Sequence, residues 1–191
     1  MYRLPSREQV VEVFEAGPKI PCANRQSNYE TSQPMQSARV ASIHIHPEKS
    51  DGAMQSLPQI EVVAEKGIVE DKRYFGRRSA SGQPSRRQVS LIEREQLEEH
   101  AAALGCSGFV PGVVRSNIET EGIRLVSLKG KIIQIGTAQL MIGEPRDPCE
   151  KMDQVMPGLR ALMENDRQGV LAQVVTSGTI RVGDAIRVVS S

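Results

Sequence analysis

The sequence predicts a mainly β protein, a closed or nearly closed β-barrel with a few flanking α-helices. Three observations predict it. Short apolar, β-branched runs recur along the chain and are cut at close intervals by turns containing glycine or proline. Few stretches carry helical spacing. The chain has 191 residues, 39% of them hydrophobic and 25% charged, a composition that buries a core and suits about one domain with some extra chain.

The elements follow in order. Ser6 and Gln9 form a capping-box pattern before Val10, Val11, Val13 and Phe14, and Gly17-Pro18 ends that short helix. Residues 17–37 are rich in Pro, Asn, Gln and Ser, and burial cannot offset ordering entropy there. Residues 1–38 are therefore expected to be a helix and a polar arm, with the compact domain over 39–191. Two β-like runs, 39–46 and 59–65, flank a turn-rich segment. Residues 66–87 hold Gly67, Gly76, Gly82, Pro84 and seven Lys or Arg side chains, and a basic loop of this length is expected to be functional. Residues 88–92 read as a buried strand. Residues 93–104 read as a helix with Leu97, Ala101 and Leu104 on one face, an acidic solvated face opposite, and Gly105 just past its end. Strands are then expected at 113–119, 125–126, 131–135 and 137–142, as antiparallel hairpins. A helical stretch broken at Pro157-Gly158 follows, and then strands at 169–175, 179–181 and 185–189.

Composition excludes several functions. Lys plus Arg is 24 against 23 Asp plus Glu, a net charge of +1, so no large single-sign field draws nucleic acid or membrane. Three Phe, three Tyr and no Trp leave an aliphatic core and no stacking platform for bases. Cys22, Cys106 and Cys149 form no CxxC pair and are expected to be reduced thiols. The longest apolar stretch, residues 132–143, is 12 residues long, whereas a membrane span needs about 20. Arg3, Arg7, Glu8, Glu12 and Glu15 occupy the place of a secretory signal, and a cytoplasmic protein is expected.

Several residues could carry chemistry. Cys149 lies in Gly143-Glu144-Pro145-Arg146-Asp147-Pro148-Cys149, a loop stiffened by two prolines before a helix start. Helix-start amides, Arg146 and Lys151 suit a sulfur anion there, and Asp147 and Glu150 oppose it. A small buried hydrophobe is the alternative. Arg115 and Asn117, two apart on a strand, share a face and could grip an anion, or could be an exposed polar face. Arg86, Arg87 and Ser90 stand where a strand feeds a helix, a common phosphate position. His44 and His46 share a strand face but lack a third metal ligand, and a solvated face is expected for them. The same is expected of Glu93, Glu95, Glu98, Glu99 and His100. Gly130-Lys131 lacks the rest of a P-loop, and no GxGxxG is present.

In their order along the chain, five segments resemble the MOSC domain, named after the C-terminal part of molybdenum cofactor sulfurase. They are Lys66-Gly67-Ile68-Val69-Glu70-Asp71-Lys72-Arg73, Arg87-Gln88-Val89-Ser90-Leu91-Ile92, Pro111-Gly112-Val113-Val114-Arg115-Ser116-Asn117-Ile118, Glu144 to Cys149, and the closing Gly169-Val170 through Gly183-Asp184. The likeness covers residues 39–189. The resemblance implies a MOSC-type β-barrel that handles the pterin-based molybdenum cofactor (molybdopterin). It implies Cys149 as thiolate ligand to molybdenum, a soft donor beside the cofactor's dithiolene. By the same resemblance Arg115, Asn117 and Ser90 hold the cofactor, and Asp71, Arg73, Arg87, Gln88 and Arg146 line the same site. Two positions depart from the family's pattern: Glu70 stands for a usual glycine and Ser116 for a common acidic residue. The implied activity is reduction of a small N-hydroxylated or N-oxygenated substrate, with electrons from a separate protein because the chain has no Fe–S cysteine set, NAD motif or flavin motif. The alternative is a non-catalytic carrier, with a persulfide on Cys149 or the cofactor held in transit.

Overall fold

The computed structural model describes residues 37–49 and 52–189. The segments expected to form an N-terminal helix and a polar arm before Ser37, and Cys22 with them, lie outside these residues.

The described chain is built from β1 (Arg39–Ile45), β2 (Gln55–Ser56), β3 (Gln59–Val63), β4 (Gly67–Ile68) and β5 (Val89–Glu93), then α1 (Arg94–Ala103), β6 (Ile118–Glu121), β7 (Ile132–Ile135) and β8 (Ala138–Pro145). Two short helices, α2 (Lys151–Val155) and α3 (Leu159–Leu162), precede β9 (Val170–Thr176), β10 (Gly178–Arg181) and β11 (Ile186–Val188). The sheet runs β11-β7-β8-β9-β5-β6-β1-β2, and β10-β3-β4 forms a smaller sheet. The large sheet curls until its start meets its end. Arg39 bridges Ala185, and backbone bonds join Val40 to Asp184 and Gly183 and Ile186 to Ala38. The seam is bonded over these few residues, so the barrel is nearly and not fully closed.

Alternation decides which strands face water. β3, β7, β8 and β9 bury every second side chain, as half-exposed strands do. β5 is buried at all five positions because apolar groups cover both its faces. Val89 and Leu91 enter the barrel core, while Ile92 packs with Leu97, Val114, Met152, Leu159 and Met163 beneath the helices. α1 ends as expected: Gly105 has φ +71°, Cys106 N donates to Ala101 O at 2.9 Å and Gly105 N to Ala102 O at 3.1 Å, a Schellman cap.

Three strand expectations need correction. β6, expected to form hairpins with the strands that follow it, instead pairs in parallel with β5, Leu91 against Ile118, with α1 as crossover, and antiparallel with β1. The strand expected over 113–119 begins only at Ile118, because Gly112 (φ +84°) and Arg115 (φ +62°) are left-handed and turn the chain. Residues 125–126 lead into a 3-10 turn, Val126–Leu128, and carry no strand.

Candidate functional site

Asn117 stands at the entry to β6 and ties three segments together. Its Oδ1 accepts from Ser90 N at 3.1 Å and Ser90 Oγ at 2.8 Å, and its Nδ2 donates to His44 O at 3.1 Å and Asp71 Oδ2 at 3.1 Å. The same Asp71 oxygen accepts from His46 Nδ1 at 2.7 Å and His46 N at 3.2 Å. β1, β5, β6 and the start of the basic loop are thereby joined by side chains that are almost wholly buried. The His46 contact and the Asn117 hydrogen bond hold the Asp71 carboxyl below its ordinary range against the opposing effect of burial. Burial pushes His46 down, and Asp71 pulls it partly back.

Above this layer lie the guanidinium groups. Arg115 sits at φ +62°, a conformation that costs a non-glycine residue on the order of 1 kcal/mol and collects at functional sites. It is fixed by Arg115 N to Gly112 O at 3.0 Å and by its own Nη1 to Gly52 O at 2.9 Å. Its Nη2 is buried and without a hydrogen-bond partner among the described residues. Arg146 Nη1 donates to Ser116 Oγ at 2.6 Å and Nη2 to Arg115 O at 3.4 Å. Burial, then Arg87, push the Arg146 guanidinium down to about 10, and Cys149 acts in the opposite sense. Arg115 is lowered by burial and by Arg73 and Arg87, and Tyr74 and Cys149 oppose the shift. The exposed Cys149 is therefore within electrostatic reach of both deep arginines. Its carbonyl accepts from Met152 N at 2.9 Å, so the second amide of five-residue α2 is spent inside the turn.

Residues 70–187 match the MOSC domain. The chain belongs to the MOSC domain family. No curated protein matches the sequence. Among solved structures, the MOSC fold resembles the YuaD protein of Bacillus subtilis, with a TM-score of 0.66, 23% identity and coverage of 82% of this chain and 97% of that one. YiiM of Geobacillus stearothermophilus aligns with a TM-score of 0.64 and 18% identity over 80% of this chain and 75% of that one. YiiM of Escherichia coli aligns with a TM-score of 0.56 and 20% identity over 80% and 70%.

The MOSC motifs are distant in sequence and partly convergent in space. Arg115 feels Arg73, Cys149 and Arg87 electrostatically, and Arg146 feels Arg87, Cys149 and Arg115. Asp71, Ser90 and Asn117 form the layer beneath, and both ends of the Asn117 amide are satisfied within the protein. Gln88 is turned elsewhere. Its Oε1 accepts from Val174 N at 2.9 Å and its Nε2 donates to Ser85 O at 2.9 Å, on the wall of a separate open cavity of about 910 Å³ that Glu65, Arg78 and Arg86 also line. Glu70 keeps an ordinary negative φ, since it is absent from the left-handed residues, and accepts from Glu61 N at 3.2 Å. Ser116 is the acceptor for Arg146.

Several polar residues expected in solvent are buried. His44 is bonded to Ser56 and Ser42, His46 to Asp71, and His100 to Arg167 O at 2.9 Å. Glu93 belongs to β5, not to the helix, and accepts from Leu125 N at 2.7 Å. Glu95, Glu98 and Glu99 are exposed as expected. Sequence reasoning missed His46, Tyr74 and Arg77 as neighbours of the site. Tyr74 and Arg77 lie in the basic loop already singled out, whereas nothing local announces the His46–Asp71 bond.

The MOSC residues present fit an anionic, sulfur-ligated cofactor. A half-buried guanidinium with one buried, orphaned donor, a second guanidinium resting on a neutral hydroxyl, and a nearby exposed thiol are the donor set that a phosphorylated pterin and a soft metal require. Among the described residues no three His, Cys, Asp or Glu side chains converge on a metal position, so the fit depends on ligands that the cofactor itself brings. No helix among the described residues is long and apolar enough to cross a membrane.

Proposed function

We propose that this MOSC protein binds molybdenum cofactor through Cys149 and reduces a small N-hydroxylated or N-oxygenated compound with electrons from a separate protein. The observation that carries the reading is the group of guanidiniums that, among the described residues, have no carboxylate partner, beside an exposed thiol, with Arg115 Nη2 buried and unsatisfied among them. When bound, the cofactor supplies two-electron removal of oxygen from nitrogen.

The chain's own residues bind and orient. Arg115 and Arg146 face the pterin phosphate as the deep pair, with Arg73 and Arg87 in the same field. Cys149 is the sulfur ligand to the metal. Asn117 and Ser90 meet the cofactor only by exchanging an internal partner, so their main work here is to hold β5 and β6 in register under the arginines, and Asp71 and His46 fix the loop that carries Arg73. The low accessibility of the Arg115–Arg146 layer keeps its hydrogen bonds out of competition with water. Cys149→Ala is expected to abolish reduction of a simple N-hydroxylated amidine while leaving the fold intact. Full turnover by that variant overturns the assignment.

The exposure of Cys149 also favours a second reading, a carrier that holds a persulfide on this thiol without turnover. Intact-mass measurement separates the two: one added sulfur on Cys149 without molybdenum supports the carrier.

A further inference from the structure

Tyr74 has no part in that proposal, yet three guanidiniums gather on its ring. The guanidinium carbons of Arg87, Arg77 and Arg73 lie 5.1, 5.5 and 5.6 Å from its centroid, and the His46 ring meets it edge-on with centroids 4.7 Å apart. An aromatic ring attracts a cation, but one ring does not offset the mutual repulsion of three. Among the described residues, the arginine and lysine ion pairs use Arg39, Lys72, Arg94, Lys129 and Arg167 and leave these three without a carboxylate. Asp71, the carboxylate bonded into this region, spends one oxygen on His46 and Asn117. Arg115 and Arg146 beside them rest on neutral acceptors. Five guanidiniums therefore share one region of a chain whose net charge is only +1, more positive charge than the Asp71 carboxylate and one phosphate monoester of at most two negative charges together balance.

We propose that Arg73, Arg77 and Arg87 around Tyr74 form a second anion subsite, next to the Arg115–Arg146 pair, and that it takes a second phosphate. Three guanidiniums suit a tetrahedral oxyanion with three terminal oxygens better than a planar carboxylate with two. The subsite rests on the proposed function only in that the deep pair is given to the cofactor's own phosphate. Its phosphate can come from a dinucleotide form of the cofactor or from a phosphorylated substrate.

The test is calorimetric titration of the full chain, prepared without cofactor at low ionic strength, with inorganic phosphate and with pyrophosphate. Pyrophosphate is expected to bind about tenfold or more tightly than phosphate. Arg77→Gln, at an exposed position and outside the deep pair, is expected to remove that advantage while phosphate binding persists. Equal affinity for the two anions in the unmodified chain, or an advantage untouched in Arg77→Gln, overturns the subsite. Extraction from protein made in a cofactor-producing host identifies the source: a dinucleotide mass assigns the second phosphate to the cofactor, and a mononucleotide mass with nucleoside monophosphate binding to the loaded protein assigns it to the substrate. Absence of molybdenum with the pyrophosphate preference intact removes the reductase reading and leaves the subsite standing; molybdenum without the preference does the reverse.

Discussion

Arg146 Nη1 donates to the hydroxyl of Ser116 at 2.6 Å, so the most deeply buried cation of the site is held by a neutral acceptor and keeps its charge for something else. A buried charge without an opposite partner costs stability. Arg146→Met is expected to leave the protein as stable or more stable, by up to about 1 kcal/mol, while weakening phosphate binding at least tenfold. Urea denaturation beside a phosphate titration checks both halves. A variant that loses stability and keeps phosphate affinity contradicts this role.

Asn117 is the opposite case, a polar side chain whose groups are all satisfied internally. Asn117→Ala leaves Ser90, the His44 carbonyl and Asp71 short of partners in a buried layer. A loss of about 3–4 kcal/mol is expected by chemical denaturation. A loss under about 1 kcal/mol would show that the layer does not hold β5 and β6 together.

Gly169 marks where two strands meet without room for a side chain. Its φ is +73°, and an added Cβ would strike the Leu91 carbonyl oxygen and come within 2.8 Å of Ile92 Cα, while its own carbonyl accepts from Arg146 N at 3.0 Å. Gly169→Ala is expected to destabilise by about 3 kcal/mol or more and to disturb Arg146 with it. Near-normal melting of the variant contradicts that close approach.

Acid should weaken the fold in two windows. Burial lowers His44, His46 and His100 below their ordinary value, so below about pH 6.5 the unfolded chain binds protons that the folded chain refuses, and stability falls as pH drops. Around His44 the Glu119 carboxylate opposes the shift and Arg94 adds to it. Asp71 is also lowered, so its contribution is present above about pH 4 and is lost below it. Glu93, raised by burial, works in the other direction. Denaturation midpoints at pH 7.5 and 5.5 check the first window, and His46→Asn should flatten the slope. A midpoint that does not change between those pH values contradicts neutral buried histidines.

Much of the barrel was legible because its strands are half-exposed. Gln134 separates Ile133 from Ile135, and Glu61 separates Ile60 from Val62, so a two-fold period is visible in sequence. β5 was legible as an apolar run, but its parallel pairing with β6 is a tertiary fact that no local pattern states. The turn at 112–116 was missed because Arg115 is a non-glycine residue in a left-handed conformation, held there by Gly112 O and Gly52 O. Of the site, the loop cysteine and the motif arginines were readable through their order along the chain. The burial of His44, His46 and His100 was not, since partners as distant as Asp71 and Arg167 satisfy them.

The most direct measurement is the molybdenum content of the full chain and of Cys149→Ala, both purified from a host that makes the cofactor. Equimolar molybdenum in the unmodified protein and its loss in the variant is the predicted result. Metal retained at the same level without that sulfur, or no metal in either protein, contradicts the assignment.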